Sequence, residues 1–358
     1  MIRITKAAAI CNLGENLEEI FQNIIDGKIV DFKITTLLPE IHKEVYNIRC
    51  NRMLLHCLNK IQPDIEKLIK EYGSKRIGVV FSTTNTGIDD YEKTHNYEFL
   101  KMSNPAEFVK DYLGLEGLCC GVSTACSSGI KAFLTAKQWI ECGLCDAVIA
   151  GGTDEISQFP LAGFKSLEVL SEKRSNPFSK NPTGINISEA AAVFILDKKD
   201  EGIKVLGIGE TSDAYHASTP EPEGIEAANA MLLALQESGL APKDIDYINL
   251  HGTGTLANDT MEANAIYNVF GENIFAGATK PLTGHCLGAS ASIETAICYE
   301  LLRSGSCTLP PHIYDGEYNP GIPKINLVKK GTKVKEVKNI MCNAFGFGGT
   351  NAVIILGK

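Results

Sequence analysis

Apolar residues fall into two patterns along the chain: short, dense runs rich in β-branched and aromatic side chains, and longer stretches with helical spacing. The first pattern predicts strands at Ile77–Ser82, Cys119–Thr124 and Asp146–Gly152, and a strand pair at Ala191–Leu196 and Lys204–Gly209. Further strands are predicted at Asp246–Leu250, Ile274–Ala278, Ile340–Asn343 and Asn351–Leu356. The second pattern predicts helices at Ser127–Glu141, stopped by Gly143, and at Glu223–Ser238, ended by Gly239. Asp259–Phe270 and Gly288–Arg303 read the same way. Strands that alternate with helices make an α/β fold around a buried sheet. The second half repeats the theme of the first, an order of elements that allows a duplication. Glu44–Ile61 looks helical and carries Arg49, Arg52 and Lys60, with Lys43 just ahead; its plain reading is a solvated basic face.

Composition narrows the class. A chain of 358 residues can bury a large core without a disulfide or metal staple. A net charge of -9 argues against general nucleic-acid binding, which needs a basic footprint. Met1–Ala9 lacks the apolar stretch and cleavage site of a signal peptide, and no run approaches the roughly 18 apolar residues of a membrane span. The expectation is therefore a cytoplasmic protein with no membrane or nucleic-acid partner. Most of the twelve cysteines sit inside apolar runs and read as buried thiols. Cys142 and Cys145 have CxxC spacing but no second pair or histidine nearby, so no metal site is expected.

Four segments carry chemistry. In Gly121-Val-Ser-Thr-Ala-Cys126-Ser-Ser-Gly129, small residues surround a cysteine between a strand and a helix. Such a turn exposes the side chain and sets the sulfur at a helix N-terminus, where the dipole and free N–H groups favour thiolate. A buried structural cysteine is the alternative. Leu250-His251-Gly-Thr253-Gly-Thr255 puts a histidine at a strand end with two hydroxyls behind it; a turn with a core histidine is the alternative. Lys280 lies five residues before His285, which precedes a helix of small residues containing Glu294. Glu294 is placed to orient a neighbour rather than act directly. Asn343-Ala-Phe345-Gly-Phe347-Gly-Gly-Thr-Asn351 is a glycine-rich turn between strands. No helix with Lys-Ser/Thr follows it, so a nucleotide loop is disfavoured.

Taken in this order, the motifs resemble the β-ketoacyl synthases of fatty-acid and polyketide assembly, within the thiolase-like superfamily. The resemblance runs from about residue 75 to the end and includes Asp146–Gly152, Gly163-Phe164 to Leu170-Ser171, Pro177-Phe178 and Glu189. It implies a five-layered α/β/α/β/α fold of two similar halves, with residues 1–200 carrying Cys126 and residues 201–358 carrying both histidines. It implies Cys126 as the acyl-accepting nucleophile, His251 and His285 as the catalytic histidines, Lys280 as the active-site lysine and Glu294 as its supporting carboxylate. The backbone N–H groups of Cys126 and Phe347 would form the oxyanion hole, with Phe347 gating an acyl pocket that Phe345 helps to line. Thr253 and Thr255 would contact a phosphopantetheine arm. Arg49 and Arg52 would dock the acyl carrier protein that supplies it, the enzyme binding no cofactor of its own. A homodimer, or a heterodimer with a related subunit, is implied. Ser179, Pro182, Thr183 and Ser188 depart from the family pattern, which points toward a secondary pathway such as pigment or polyene assembly. Two other readings compete: a non-catalytic chain-length-factor-like subunit, and a coenzyme-A-dependent thiolase.

Overall fold

The computed structural model describes all 358 residues. Its strands are β1 (Arg3–Cys11), β2 (Ile77–Ser82), β3 (Cys119–Val122), β4 (Ala147–Asp154), β5 (Ala190–Asp197), β6 (Ile203–Ser212), β7 (Tyr247–Asn249), β8 (Phe275–Gly277), β9 (Asn326–Leu327), β10 (Asn339–Gly346) and β11 (Thr350–Gly357). Its helices are α1 (Leu17–Ile25), α2 (Arg49–Lys60), α3 (Gln62–Tyr72), α4 (Ile88–Thr94), α5 (Asn104–Tyr112), α6 (Ser128–Glu141), α7 (Gln158–Ser166), α8 (Ile225–Ser238), α9 (Leu256–Phe270), α10 (Lys280–Thr283) and α11 (Ser290–Ser304). No helix is long and apolar enough to cross a membrane.

The strands hydrogen-bond in the order β3-β2-β4-β5-β1-β6-β11-β10-β7-β8-β9. Within it lies a repeat. In the first half β2 is parallel to β3 and β4, while β5 is antiparallel to β4 and β1. In the second half β7 is parallel to β8 and β10, while β11 is antiparallel to β10 and β6. The two halves thus share one five-stranded topology, to which β9 adds an edge strand parallel to β8, and they meet through only two residue pairs, Arg3↔Lys204 and Ile4↔Ile203.

Alternation along the strands builds the layers. Ile77, Val79 and Phe81 face a core shared with α2, α3 and α5, while Val80 faces the central core with α6 and α11. In the second half Ile248, Met341, Val353 and Ile355 face α8 and α9, while Ile340, Cys342, Ile354 and Leu356 turn to the centre. Three cores between alternating helix and sheet layers give the five-layered thiolase-like arrangement. Strands buried on both faces must be apolar on both, which explains their unbroken hydrophobic runs. Helix α11 is buried all round from Ser290 to Leu302, as a helix in the middle layer must be. It packs closely on α6: a Cβ on Gly129 would meet the Ser292 backbone nitrogen at 2.6 Å.

The structure corrects one strand assignment. Ala191–Leu196 and Lys204–Gly209 belong to β5 and β6, but these do not pair. The N-terminal strand β1, which the hydrophobic pattern did not single out, lies between them and pairs with both. Gly202, with φ +101°, makes the turn that lets the chain cross; a Cβ there would sit 2.4 Å from the Ile4 carbonyl oxygen.

Candidate active site

The chemistry gathers where the central helices begin. Strand β3 ends at Val122, and the chain turns through Ala125 at φ +51° into α6, leaving Cys126 just ahead of the helix. Strand β7 ends at Asn249 and delivers His251; β8 delivers Lys280 on the short α10, and His285 follows before α11. The β10–β11 hairpin brings Phe347 over the same point, its backbone N–H directed at the Cys126 sulfur. A Cβ on Gly346 would reach within 3.1 Å of the Cys126 nitrogen, so the glycine keeps that amide accessible. The structure therefore brings together Cys126, His251, His285, Lys280, Glu294, Phe345 and Phe347.

Hydrogen bonds fix the protonation pattern. Leu287 N–H donates to His285 Nδ1 at 2.9 Å, so His285 carries its hydrogen on Nε2, 3.1 Å from Cys126 Sγ. Lys280 Nζ donates to His251 Nδ1 at 3.2 Å, to the His251 carbonyl at 2.7 Å and to Glu294 Oε1 at 2.6 Å. Three acceptors match the three hydrogens of an ammonium, and His251 too is left with its hydrogen on Nε2. Burial, followed by the charge of Lys280, holds His285 down to about 3 and His251 well below the usual imidazole range. Both rings stay neutral donors at physiological pH. Burial pushes Glu294 up to about 7, with Lys280 pulling it back.

Cys126 differs from expectation. It is 7% exposed rather than presented at a surface, and burial pushes its thiol up to about 11; Lys280 and the Phe347 N–H offset only part of this. With His285 so hard to protonate, the resting pair is a neutral thiol and a neutral imidazole, not a standing thiolate.

Cys126 Sγ and ring nitrogens of His251 and His285 lie within 4.8 Å of one another, a spacing that a metal could use. The tautomers oppose it. Metal-binding histidines donate a hydrogen outward from the second nitrogen, whereas here both Nδ1 atoms receive one.

Two cavities meet at Cys126. One, about 140 Å³, is lined by His251, Thr253, Thr255, His285 and Phe345 and opens past His216 and Ser218. The other, about 430 Å³, is lined by Thr84, Asn85, Pro160, Leu167 and Leu287. Phe164 and Phe347 belong to both, stacked with ring centroids 5.5 Å apart. Phe347 is half-buried, and the next residues are tethered from outside by Gly348 N–H to the Ala217 carbonyl and Asp213 N–H to the Gly349 carbonyl. Thr253 and Thr255 share a hydrogen bond of 3.1 Å, and Thr255 also caps α9.

Sequence reasoning missed several supports. Glu262 on α9 accepts the backbone N–H of His251 at 2.7 Å and of Gly252 at 2.8 Å, and Asn343 Nδ2 at 3.1 Å. The available signal was a carboxylate between Met261 and Ala263 in a helix that must be buried. Phe164 lies edge-on to His285 with centroids 6.1 Å apart. Arg49, expected at a docking surface, is instead paired within the fold. Its guanidinium grips the buried Glu189 at 2.6 and 2.7 Å and the Ile34 carbonyl at 3.1 Å, so its charge is matched within the fold. Arg52 pairs with Glu40 at 3.1 Å on the surface. The two arginines line a charged cavity with Lys33, Lys93, Asp89 and Asp90 that shares no lining residue with the Cys126 cavities.

Comparison with known proteins agrees with this arrangement. The β-ketoacyl synthase N-terminal domain model matches residues 51–202 and the C-terminal domain model matches residues 203–313. The chain is 32% identical to 3-oxoacyl-[acyl-carrier-protein] synthase 2 of Coxiella burnetii, over 99% of the chain and 98% of the relative. It is 33% identical to nodulation protein E of Rhizobium leguminosarum bv. trifolii, over 98% and 97%. A solved ketosynthase from Xenorhabdus doucetiae, in complex with its chain length factor, superposes with a TM-score of 0.94 at 35% identity, covering 99% of this chain and 97% of that one. With a cysteine and two histidines converging at the N-terminal ends of paired central helices, and with relatives matched along nearly its whole length, the chain belongs to the β-ketoacyl synthase family of condensing acyltransferases.

Proposed function

We propose that the protein condenses an acyl group held on Cys126 with a malonyl thioester, both delivered on the phosphopantetheine arm of an acyl carrier protein. The observation that carries this reading is the pair of Nε2–H groups converging beside a cysteine sulfur. The arm would enter through the cavity of Thr253 and Thr255. Cys126 attacks the acyl thioester, the oxyanion is held by the N–H groups of Cys126 and Phe347, and the thiol proton leaves with the carrier's thiol. Malonyl thioester then occupies the emptied arm site. Its carboxylate departs as carbon dioxide, and the enolate oxygen is stabilised by the two imidazole N–H groups. The enolate carbon attacks the acyl-Cys126 carbonyl, a carbon–carbon bond forms, and the sulfur leaves as thiolate and takes a proton from solvent. No metal or resident cofactor enters. Retention of Cys126 with both histidines favours this over a non-catalytic partner role, and the absence of a second cysteine in the Asn343–Asn351 turn favours it over a thiolase. Intact-mass measurement should show an acyl adduct on Cys126 after mixing with acyl carrier, and a β-ketoacyl carrier once malonyl carrier is added, both insensitive to EDTA. Absence of any adduct across a panel of acyl lengths would remove the proposal.

Phe347 would gate the larger cavity, since the Phe164–Phe347 stack separates it from the entry side. Phe347→Ala should change acyl selectivity and product length. It should cost only about 1 kcal/mol of stability, the worth of one aromatic pair, rather than the ~3–5 kcal/mol of a core phenylalanine. Thermal melting beside product analysis tests both; a large melting loss with unchanged products would make Phe347 a packing residue.

Strand β3 ends the sheet, is half-exposed along its length, and is flanked by exposed Met102 and Leu118. An uncovered edge of this kind invites another strand. The proposed partner is a second ketosynthase-type subunit, identical or related. Sedimentation of the purified chain, alone and with a related subunit, should give a dimer in at least one case; a monomer in both would exclude this seam.

A further inference from the structure

One carboxylate outside the reacting atoms is held by an unusual set of donors. Asp154 ends β4 and is fully buried. Its Oδ1 accepts Thr83 Oγ1 at 2.7 Å, Asn85 N–H at 2.9 Å and Thr84 N–H at 3.0 Å. Its Oδ2 accepts Gly288 N–H at 2.6 Å, Thr84 Oγ1 at 2.8 Å and Thr84 N–H at 2.9 Å. No cation contacts it; every partner is a neutral donor. A Cβ on Gly288 would fall 2.7 Å from Oδ2, so only glycine lets that amide approach.

The residues tied together matter more than their number. Gly288 follows Leu287, whose N–H can only donate and so sets the His285 tautomer, whereas the Ser290 hydroxyl, 3.2 Å from the same Nδ1, can donate or accept. Leu287 holds a left-handed φ of +53°, a strained conformation for a side chain with a Cβ and one that its surroundings must enforce. The Gly288–Asp154 bond is the adjacent anchor. The same carboxylate fixes Thr84 and Asn85, which with Leu287 line the larger cavity beside Cys126.

We infer that Asp154 is a positioning residue: it pins the Leu287–Gly288 turn so that the Leu287 N–H keeps the His285 hydrogen on Nε2, and it locks the Thr84–Asn85 cavity wall to the same turn. This rests on the proposed condensing reaction for its catalytic consequence, but not for its structural one. In Asp154→Asn an amide NH₂ replaces one acceptor oxygen and confronts backbone N–H groups that can only donate. The turn then relaxes, Leu287 leaves its strained φ, and Nδ1 of His285 loses its backbone donor, which leaves only the Ser290 hydroxyl at 3.2 Å, a group that can donate or accept.

Nitrogen-15 NMR of histidine-labelled protein, with His285 assigned by its loss in His285→Ala, reads the tautomer directly. The native protein should show a single Nε2–H tautomer for His285, and Asp154→Asn should show a mixed population. Condensation should fall roughly 10- to 100-fold, the scale set by misplacing a catalytic group, while acyl loading of Cys126 falls less than about threefold. Thr84→Val, which removes one hydroxyl donor and keeps the backbone bonds, should move the tautomer and the condensation-to-loading ratio the same way by a smaller amount. It serves as the deciding variant if Asp154→Asn does not fold. A folded variant that melts lower yet keeps the single tautomer and the native ratio would make Asp154 a purely structural anchor and overturn the inference. If the native protein neither loads nor condenses, the condensing reaction fails as a reading, while the tautomer spectra still decide the role of Asp154.

Discussion

Replacing His285 with alanine should slow condensation by about 10²–10⁴-fold, the usual contribution of a positioned acid–base or hydrogen-bonding group, while acylation of Cys126 survives within roughly tenfold. The asymmetry follows from the tautomer. With Nδ1 occupied by the Leu287 N–H, the ring presents a hydrogen rather than a lone pair to the thiol, and so it is not built to remove the thiol proton. Its N–H is suited to a developing negative oxygen, which appears during decarboxylation. Acyl transfer, by contrast, has its own donors in the proposed mechanism, the backbone N–H groups of Cys126 and Phe347. Following the acyl adduct by mass and the β-ketoacyl product by chromatography separates the two steps. A variant that condenses at the native rate would show that His285 has no part in enolate stabilisation. A variant that can no longer be acylated would make the ring the base that the geometry argues against.

The second large effect belongs to the buried pair beneath the histidines. Lys280 and Glu294 are 2% and 1% exposed and 2.6 Å apart. Removing one partner strands an uncompensated charge in the interior, which typically costs ~3–5 kcal/mol, whereas removing both together is often close to neutral. Lys280→Met should therefore destabilise strongly, and the double variant Lys280→Met/Glu294→Gln should recover most of the loss. Activity should not recover with it, because His251 Nδ1 would still lack the donor that sets its tautomer. Denaturant unfolding and turnover on the two single variants and the double variant check this. Equal losses of stability in single and double variants would mean that the pair does not act as a unit.

Much of this site was legible in the chain because its chemistry sits at the ends of strongly patterned elements. His251 and Lys280 follow short apolar strands, and Cys126 lies among small residues where the edge strand β3 turns into a helix. The supports were harder to read. Glu262 and Asp154 are charged residues in places where only a three-dimensional set of donors makes burial tolerable, and those donors lie eleven residues away in one case and as far as Gly288 in the other. Arg49 looked like a free surface cation because its partner Glu189 is 140 residues distant. Strand β1 was passed over because its alternation is interrupted: Thr5 and Lys6 fall at a register shift, and the strand earns its central place from pairing on both edges rather than from local propensity. The Cys126 environment was misjudged for a related reason. Position at a helix start is local information, whereas the burial that pushes the thiol upward depends on the His285 segment and the β10–β11 hairpin closing over it.

The repeated strand topology has an evolutionary consequence. In each half the third strand, β3 or β8, leads to the helix that fills the middle layer, α6 or α11, so Cys126 and His285 occupy equivalent stations on the two copies of one motif. An ancestor built of two identical halves would have carried the same residue at both stations, with two equal faces and no distinction between attacking group and helper. Placing sulfur on one copy and imidazole on the other breaks that symmetry at one point, and it turns two matching clefts into a single directional site.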